Sequence, residues 1–387
     1  MMQLIVVADT ATEKRFLEVP LSIYKNDVNW VRPLDNDIKS VFDPDKNKLL
    51  KTGAAIRWIL ENEDGKLIGR IAAFVNEKTA RTSEYVTGGI GFFECINDQQ
   101  AANILFDASK EWLSSKGMEA MDGPINFGDR SSWWGLLFEG FEPPSYQMNY
   151  NPPYYIQLFE SYGFQTYFNQ LVFRYNIQDE VPELFRAKAE RIFRSSAFRF
   201  EHVNKKQLNK YAADLTQVYN EAWGKMGFFN PVTLEQMMTA MKKMLPIMDE
   251  KLIWFGYFKD RPIAFFVMLP EINQVIRYLN GRLDWYGKLK FAWYRWRGVI
   301  DKMSGILFGV VPDFQGKGID GALIVATGNV VQPLKKYKTL EMNWIGDFNP
   351  KMIRMVENLG TTVSKRYRTY RILFDPSKPF SRAPMVE

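Results

Sequence analysis

The stretch FQGKGIDGAL, residues 314–323, decides how this chain is read. It follows an apolar run, ILFGVVP (306–312), that suits a strand, and it opens a second apolar run that suits a helix. A glycine-rich turn between strand and helix is a place to hold a phosphate. The first amides of a helix have no partner within it, and the helix dipole is positive at that end. Gly316 and Gly318 let the backbone curl close to an anion, and Lys317 adds a cation. Asp320 stands against that reading, because two like charges ~4 Å apart repel by about 1 kcal/mol in water and several times more when poorly solvated. The loop therefore holds an anion only if Asp320 points away, to solvent or to a free amide.

The chain has 387 residues, enough for two domains. Its 46% hydrophobic and 24% charged residues describe a globular protein able to bury its cores. Aromatics reach 15%, an excess that suits cores, binding grooves and membrane–water interfaces. One cysteine (Cys95) excludes an internal disulfide and a multi-cysteine metal site, one histidine (His202) leaves zinc sites and histidine-based triads almost nothing to work with, and no metal is expected. The net charge of +6 favours anionic ligands such as nucleotides, coenzymes or acidic lipid surfaces, and no nucleic-acid partner is expected. The N-terminus, MMQLIVVADT, has no basic segment before its apolar run and reads as a first strand, not a signal peptide. No apolar stretch approaches the ~20 residues that span a bilayer. The expectation is a cytoplasmic protein, soluble or peripheral to the inner membrane.

A long-period repeat divides the chain. At an offset of 197, PYYIQLFESYGF from Pro153 aligns with PKMIRMVENLGT from Pro350, matching proline, Ile156 with Ile353, Glu160 with Glu357 and Gly163 with Gly360. Each segment reads as a helix with proline in its first turn and glycine past its end. AIRWILENEDGKLIGRIAAFV (55–75) and KLIWFGYFKDRPIAFFVML (251–269) each read as a hairpin. Both halves thus predict strand, helices, hairpin, strand, helix, strand, helix, strand, a mixed α/β sheet covered by helices. The joint lies in QDEVPELFRAKAERIFRSS (178–196), which reads as a connecting helix. After its loop strand the first half continues NDQQAANILF, about three residues shorter than the second half and without its glycines, so only the second half is expected to bind a phosphate.

GVVPDFQGKGIDGAL (309–323) resembles the acyl-coenzyme-A loop of the GCN5-related N-acyltransferase (GNAT) superfamily: Gln or Arg, two residues, Gly, one residue, then Gly or Ala. Gln315 and Gly318 match, and Asp320 replaces the final small residue. NWIGDFNPKMIRMVENLG (343–360) resembles the superfamily's next strand and helix, with Asn349 at the usual asparagine position. FLEVPLSIYKNDVNWVRPLDNDIKSVFDPDKN (16–47) and GKLIGRIAAFVNE (65–77) resemble the amino half of a bacterial family of tandem GNAT-like proteins, near which a GNAT-like bacterial ceramide synthase is placed. The resemblance implies a degenerate GNAT-like domain over 1–178, a connecting helix over 179–197 and an acyl-CoA-binding GNAT-like domain over 198–387. It implies acetyl-CoA or a longer acyl-CoA as co-substrate. Backbone donors at Phe308, Gly309, Val310 and Val311 would hold the acyl carbonyl and pantetheine arm. Gln315, Gly316, Lys317, Gly318, Ile319, Asp320 and Asn349 would complete the coenzyme-binding set.

The resemblance also marks a gap. The superfamily's usual acid is a tyrosine four residues before the helix-ending glycine, where this chain has Val356, and Phe159 in the first half. Either Tyr367 and Tyr370 on the following strand substitute, or no acid is used because thiolates leave readily; Glu341, in LEMNWIGD, is the candidate base and Asp347 the second. From Arg277 to Arg297 an insertion carries six basic, one acidic and seven aromatic residues, read as a lid over the acyl site or as a membrane-surface patch. Trp133 and Trp134, in a Gly- and Pro-rich segment, suit either an acceptor pocket or a domain interface. The expected function is transfer of an acyl group, acetyl or longer, from coenzyme A to a primary amine, lipid-like or sphingoid. Its alternatives are an aminoacyl-tRNA-dependent transferase of peptidoglycan-bridge type and a catalytically decayed acyl-CoA-binding protein.

Overall fold

The computed structural model describes residues 2–128, 130–224 and 231–385. The first half opens with β1 (Gln3–Val6), α1 (Thr10–Ile23) and α2 (Asp35–Val41), followed by the hairpin β2 (Ala54–Glu61) and β3 (Leu67–Val75). β4 (Thr87–Cys95), α3 (Gln99–Ser115), β5 (Ala120–Gly123), β6 (Leu136–Glu139), α4 (Tyr155–Tyr162) and β7 (Gln165–Asn176) complete it. α5 (Glu183–Phe193) lies in the connecting segment. The second half has β8 (Phe198–His202), α6 (Leu208–Trp223), α7 (Leu234–Met244) and the hairpin β9 (Ile253–Phe258) and β10 (Arg261–Pro270). Two insertion helices follow, α8 (Asn273–Ile276) and α9 (Trp285–Trp296). The chain ends with β11 (Lys302–Val310), α10 (Ile319–Val331), β12 (Thr339–Gly346), α11 (Pro350–Asn358) and β13 (Thr362–Leu373).

The punctuation predicted from the sequence is where the elements stop. α4 ends on Gly163 at φ +108°, and Gly360 after α11 is at φ +83°, the left-handed conformation that a helix-ending glycine supplies without strain. α6 buries Tyr211, Leu215 and Val218, which helical spacing sets on one face.

All the strands join one mixed sheet, ordered β1-β2-β3-β4-β5-β13-β7-β12-β11-β10-β9-β8, with β6 also pairing β13. Among the described residues, pairing is parallel only at β4–β5 and β11–β12. The last strand of each half has crossed to the other: β13 pairs with β5, β7 pairs with β12, and the two pair with each other from Thr362–Arg174 to Arg371–Gln165. Chain halves and sheet halves therefore differ. Tyr370, from the end of the chain, packs in the first half's core beside Phe159 and Phe106.

Each parallel pair starts a wedge. β11 pairs with β12 only from Lys302–Thr339 to Gly305–Met342, and the strands then diverge. On its other edge β11 carries an extra residue, Ile306, between the positions facing Met268 and Val267, a bulge that re-aims the strand where the wedge opens. In the first half the corresponding gap is filled by the chain itself. Ile125 N–H donates to the Ile90 carbonyl at 2.7 Å, and a Cβ on Gly91 would lie 1.9 Å from the Ile125 carbonyl oxygen.

Candidate active site

The loop after β11 is built to leave amides free. Gln315 turns back, its Nε2 donating to the Val310 carbonyl at 2.9 Å. Gly316 (φ +70°) and Gly318 (φ +89°) are both left-handed, and Gly318 is the N-cap of α10. Among the described residues no side chain caps this helix, so the amides of Ile319, Asp320 and Gly321 are unclaimed. The half-buried Asp320 carboxylate does not cap them and makes no hydrogen bond or ion pair with any described residue. The first half differs at this point: Asp98 Oδ1 accepts from Gln100 N at 2.8 Å and Ala101 N at 3.2 Å, occupying the start of α3 with the chain's own carboxylate.

The connecting helix α5 supplies cations that the sequence did not flag. Arg191 Nη2 donates to the Lys317 carbonyl at 3.4 Å, and the Lys188 Cβ would lie 3.2 Å from a Cβ on Gly318. Lys188, Arg191 and Lys317 thus border the free amides, a charge pattern suited to phosphate.

Behind the loop strand lies a cavity of about 470 Å³, within the ~300–1,000 Å³ of small-molecule sites. Ile306 and Phe308 of β11 and Met342 of β12 line it, together with Ile324 and Gly328 of α10 and Met352 and Met355 of α11. Tyr175 of the exchanged strand β7, Ile177 just past its end and Arg130 of the first half add to the wall. A register shift in β12 between Met342 and Ile345 brings Asn343 and Trp344 into the lining as well. Asn343 Oδ1 is buried without a hydrogen-bond partner, an acceptor open to a ligand N–H. Asn349 also lines the cavity and caps α11, accepting from Met352 N at 3.2 Å. No carboxylate or histidine lines it among the described residues.

Several expected roles are corrected. Glu341 does not face the cavity: it is buried in an ion cluster, 2.9 Å from Lys365 Nζ and 2.7 Å from Arg174 Nη2, and accepts from Ser145 Oγ at 3.0 Å. Burial works to raise its carboxyl, but Lys365 and Arg174 outweigh this and hold it at about 2, too weak a base for an ammonium group. Tyr367 and Tyr370 lie on the exchanged strand β13, away from the loop. Tyr367 is fully buried, with its hydroxyl unpartnered, and Tyr370 donates to Glu160 at 2.9 Å. Asp347 pairs with Arg382 at 2.6 Å and accepts from Asn169 Nδ2 at 2.9 Å. The Val311 amide is already given to the Ile263 carbonyl at 2.9 Å, so it cannot serve a ligand. The 277–297 insertion leaves the sheet at the end of β11 opposite the loop and contributes nothing to the cavity wall, so it is not a lid. Trp133 and Trp134 are packed with Phe74 and Phe127 in a cluster that Trp344 and Phe348 of the second half also meet, which fits the interface of their two expected places.

The exchanged strands, the one open wedge and the uncapped helix beside it define the class: this is a protein of tandem GNAT fold. Among solved structures, the tandem GNAT protein from the clavulanic acid biosynthesis pathway superposes with a TM-score of 0.56 at 10% identity, over 98% of this chain and all of that one. The glucosamine N-acetyltransferase region of a fungal multi-domain β-N-acetylglucosaminidase gives 0.54 at 13% identity, over 96% of this chain and 38% of that one. In sequence the chain is similar to the bacterial ceramide synthase of Caulobacter vibrioides, 27% identical over 377 residues, which are 95% of this chain and 97% of the relative. It is also 27% identical, over 373 residues and 92% of both chains, to Protein YghO of Escherichia coli. No protein-family model matches the chain.

Proposed function

We propose that the chain is an N-acyltransferase that takes a long acyl group from a coenzyme A thioester and passes it to a lipid-like primary amine. The observation that carries this is one strand serving two sites. Ile306 and Phe308 of β11 face an apolar cavity, and the strand ends at Val310, one short turn before the glycines that open α10. The phosphates would meet the free amides with Lys188, Arg191 and Lys317; the open edge of β11 beyond Gly305 suits the pantetheine arm. The acyl chain would fill the cavity. The amine nitrogen would then attack the thioester carbonyl, forming the C–N bond as the C–S bond breaks, with the ammonium proton lost to solvent and the thiolate leaving.

With no carboxylate or histidine on the cavity wall among the described residues, and the Tyr175 hydroxyl there donated to the Asp179 carbonyl, the rate enhancement is assigned to positioning, and Asn343 Oδ1 is the group placed to accept an N–H. The ceramide synthase name of the Caulobacter relative supports a fatty acyl group and a long-chain amine. Calorimetry with acetyl-, hexanoyl- and palmitoyl-CoA, beside a Gly318→Val variant, tests the reading. Binding should tighten with chain length and vanish in the variant, where a β-branched residue would sit at φ +89° against Lys188. Equal affinity for all three would remove the long acyl group, and no binding would remove the coenzyme. Because no carboxylate or histidine lines the cavity among the described residues, a second reading stands beside this one: an acyl-CoA-binding protein without turnover. Acyl transfer to a long-chain primary amine separates the two.

A further inference from the structure

We propose that α9 is a docking helix for an anionic bilayer surface. Thirteen large apolar side chains are exposed among the described residues, and five of them, Trp285, Tyr286, Leu289, Trp293 and Trp296, stand on this one helix at 47–83% exposure. At 3.6 residues per turn these five fall within an arc of about 100°. Lys290 and Arg297 border one side of the arc, and Lys288 and Arg295 border the other. The residues between Trp285 and Arg297 include no acid. None of the four cations has a carboxylate within ion-pair distance among the described residues, and Arg277 and Arg282 nearby have none either. Apolar groups outward, with unpaired cations on both flanks, match the interface of a bilayer, where aromatic rings sit at headgroup depth and long basic side chains reach the phosphates.

The helix is held so that this face stays outward. Asp284 caps it, accepting from Gly287 N at 2.8 Å, and Gly287 packs so closely that a Cβ would lie 2.5 Å from the Arg282 carbonyl oxygen. Tyr294 on the opposite side stacks on Tyr278 at 4.2 Å, and Arg295 donates to the Pro246 carbonyl. Arg277 donates to the Val28 carbonyl at 3.0 Å, and Val28 is itself exposed, so the surface continues onto the first half. A second copy of the chain is a poor occupant, since pairing the stripe with itself would set cations against cations. No helix among the described residues is long and apolar enough to cross a membrane, so contact would be in the plane of the interface.

The proposal stands apart from the acyl-transfer reading, because vesicle binding requires no coenzyme. The test is flotation of the full chain with vesicles of phosphatidylglycerol and phosphatidylethanolamine, and with vesicles of phosphatidylcholine alone. The chain should float with the anionic vesicles, much less with the neutral ones, and release as salt rises. Lys288→Gln with Arg297→Gln should weaken partition about fivefold per cation, roughly 25-fold together. Trp285→Ser, Trp293→Ser and Trp296→Ser together should abolish it, while the far-ultraviolet spectrum and melting temperature stay as in the parent, since all three rings are exposed. Failure of the parent to bind anionic vesicles would overturn the proposal, as would binding by the triple variant equal to the parent. Dimerisation of the parent that the triple variant abolishes, without vesicle binding, would overturn it in favour of self-association.

Discussion

Replacing Glu341 with glutamine removes one charge from the cluster where the exchanged strands meet. Its two cations come from different strands, Arg174 from β7 and Lys365 from β13, and the Lys365 ammonium, whose side chain is 2% exposed, lies within 3.0 Å of both carboxylate oxygens. Glutamine keeps the shape but leaves Lys365 buried without its counter-charge, a change that costs about 3–5 kcal/mol at comparable sites. The carboxyl gives a second route. Its fall from 4.5 to about 2 on folding corresponds to about 3 kcal/mol of stability at neutral pH. Because the folded value is depressed, that stability is present above about pH 4.5 and is lost as pH falls toward about 2, with more than half gone by about pH 3. Urea unfolding of the parent, Glu341→Gln, Lys365→Met and the double variant at pH 7 and again at pH 3 measures this. Each single variant should lose about 3 kcal/mol at pH 7, the double should lose clearly less than their sum, and the gap between parent and Glu341→Gln should narrow at pH 3. An unchanged unfolding midpoint for Glu341→Gln, together with lost acyl transfer, would refute the structural role and restore Glu341 as a base.

Gly328 lines the cavity, and a Cβ there would meet nothing nearer than Val181 at 3.7 Å, so Gly328→Phe should project into the space. Palmitoyl-CoA affinity should fall by roughly tenfold or more while acetyl-CoA affinity holds, on the scale of about 1.5–3 kcal/mol for burying one large apolar group; calorimetry reads both. Lys188→Glu with Arg191→Glu should weaken every acyl-CoA by roughly tenfold or more and flatten the dependence on ionic strength, as expected when charge-assisted contacts of about 1.5–3 kcal/mol are lost. The Cys95 thiol is pushed up to about 12, by burial first and then by Asp98 and Glu94, so iodoacetamide at pH 8 should leave the native chain unlabelled and label it once urea unfolds it. Mass spectrometry reads the outcome.

What the sequence made legible is what short-range chemistry controls. Gly163, Gly318 and Gly360 announce left-handed backbone, apolar runs broken by short polar turns over 55–75 and 251–269 announce hairpins, and the missing glycines after Asp98 announce that only one half keeps its loop. The rest depends on contacts between residues far apart in the chain. Tyr367 and Tyr370 follow α11 in sequence and so read as neighbours of the loop; the strand exchange carries them to β5 and β7 instead. Glu341 reads as a base until Arg174 and Lys365 arrive from the two exchanged strands. Asn343, two residues on, enters the cavity wall only because β12 shifts register there. Lys188 and Arg191 read as the solvated face of a connector, and only the packing of α5 on α10 brings them to the loop. The stripe on α9 was legible as composition, but its outward direction was not, since the same aromatics would suit a buried helix.

The exchange also assigns a physical role to the half that lacks the glycine loop. Its wedge is closed by Ile125, and its helix α3 is capped by Asp98, so it offers no second copy of the site. Yet β7 belongs to that half, and Tyr175 and Ile177 at its end are wall residues of the cavity beside α10 and α11. Arg130 reaches the same cavity from the first half's irregular segment, where its carbonyl accepts from Trp344 Nε1 at 3.1 Å. Without the first half, β12 would present an unpaired edge along Thr339–Gly346, and the apolar cavity would open to water on that side. The cavity is thus built by both halves, although only one supplies the glycine loop beside it. The ion cluster around Glu341 sits at the seam that holds those walls in register.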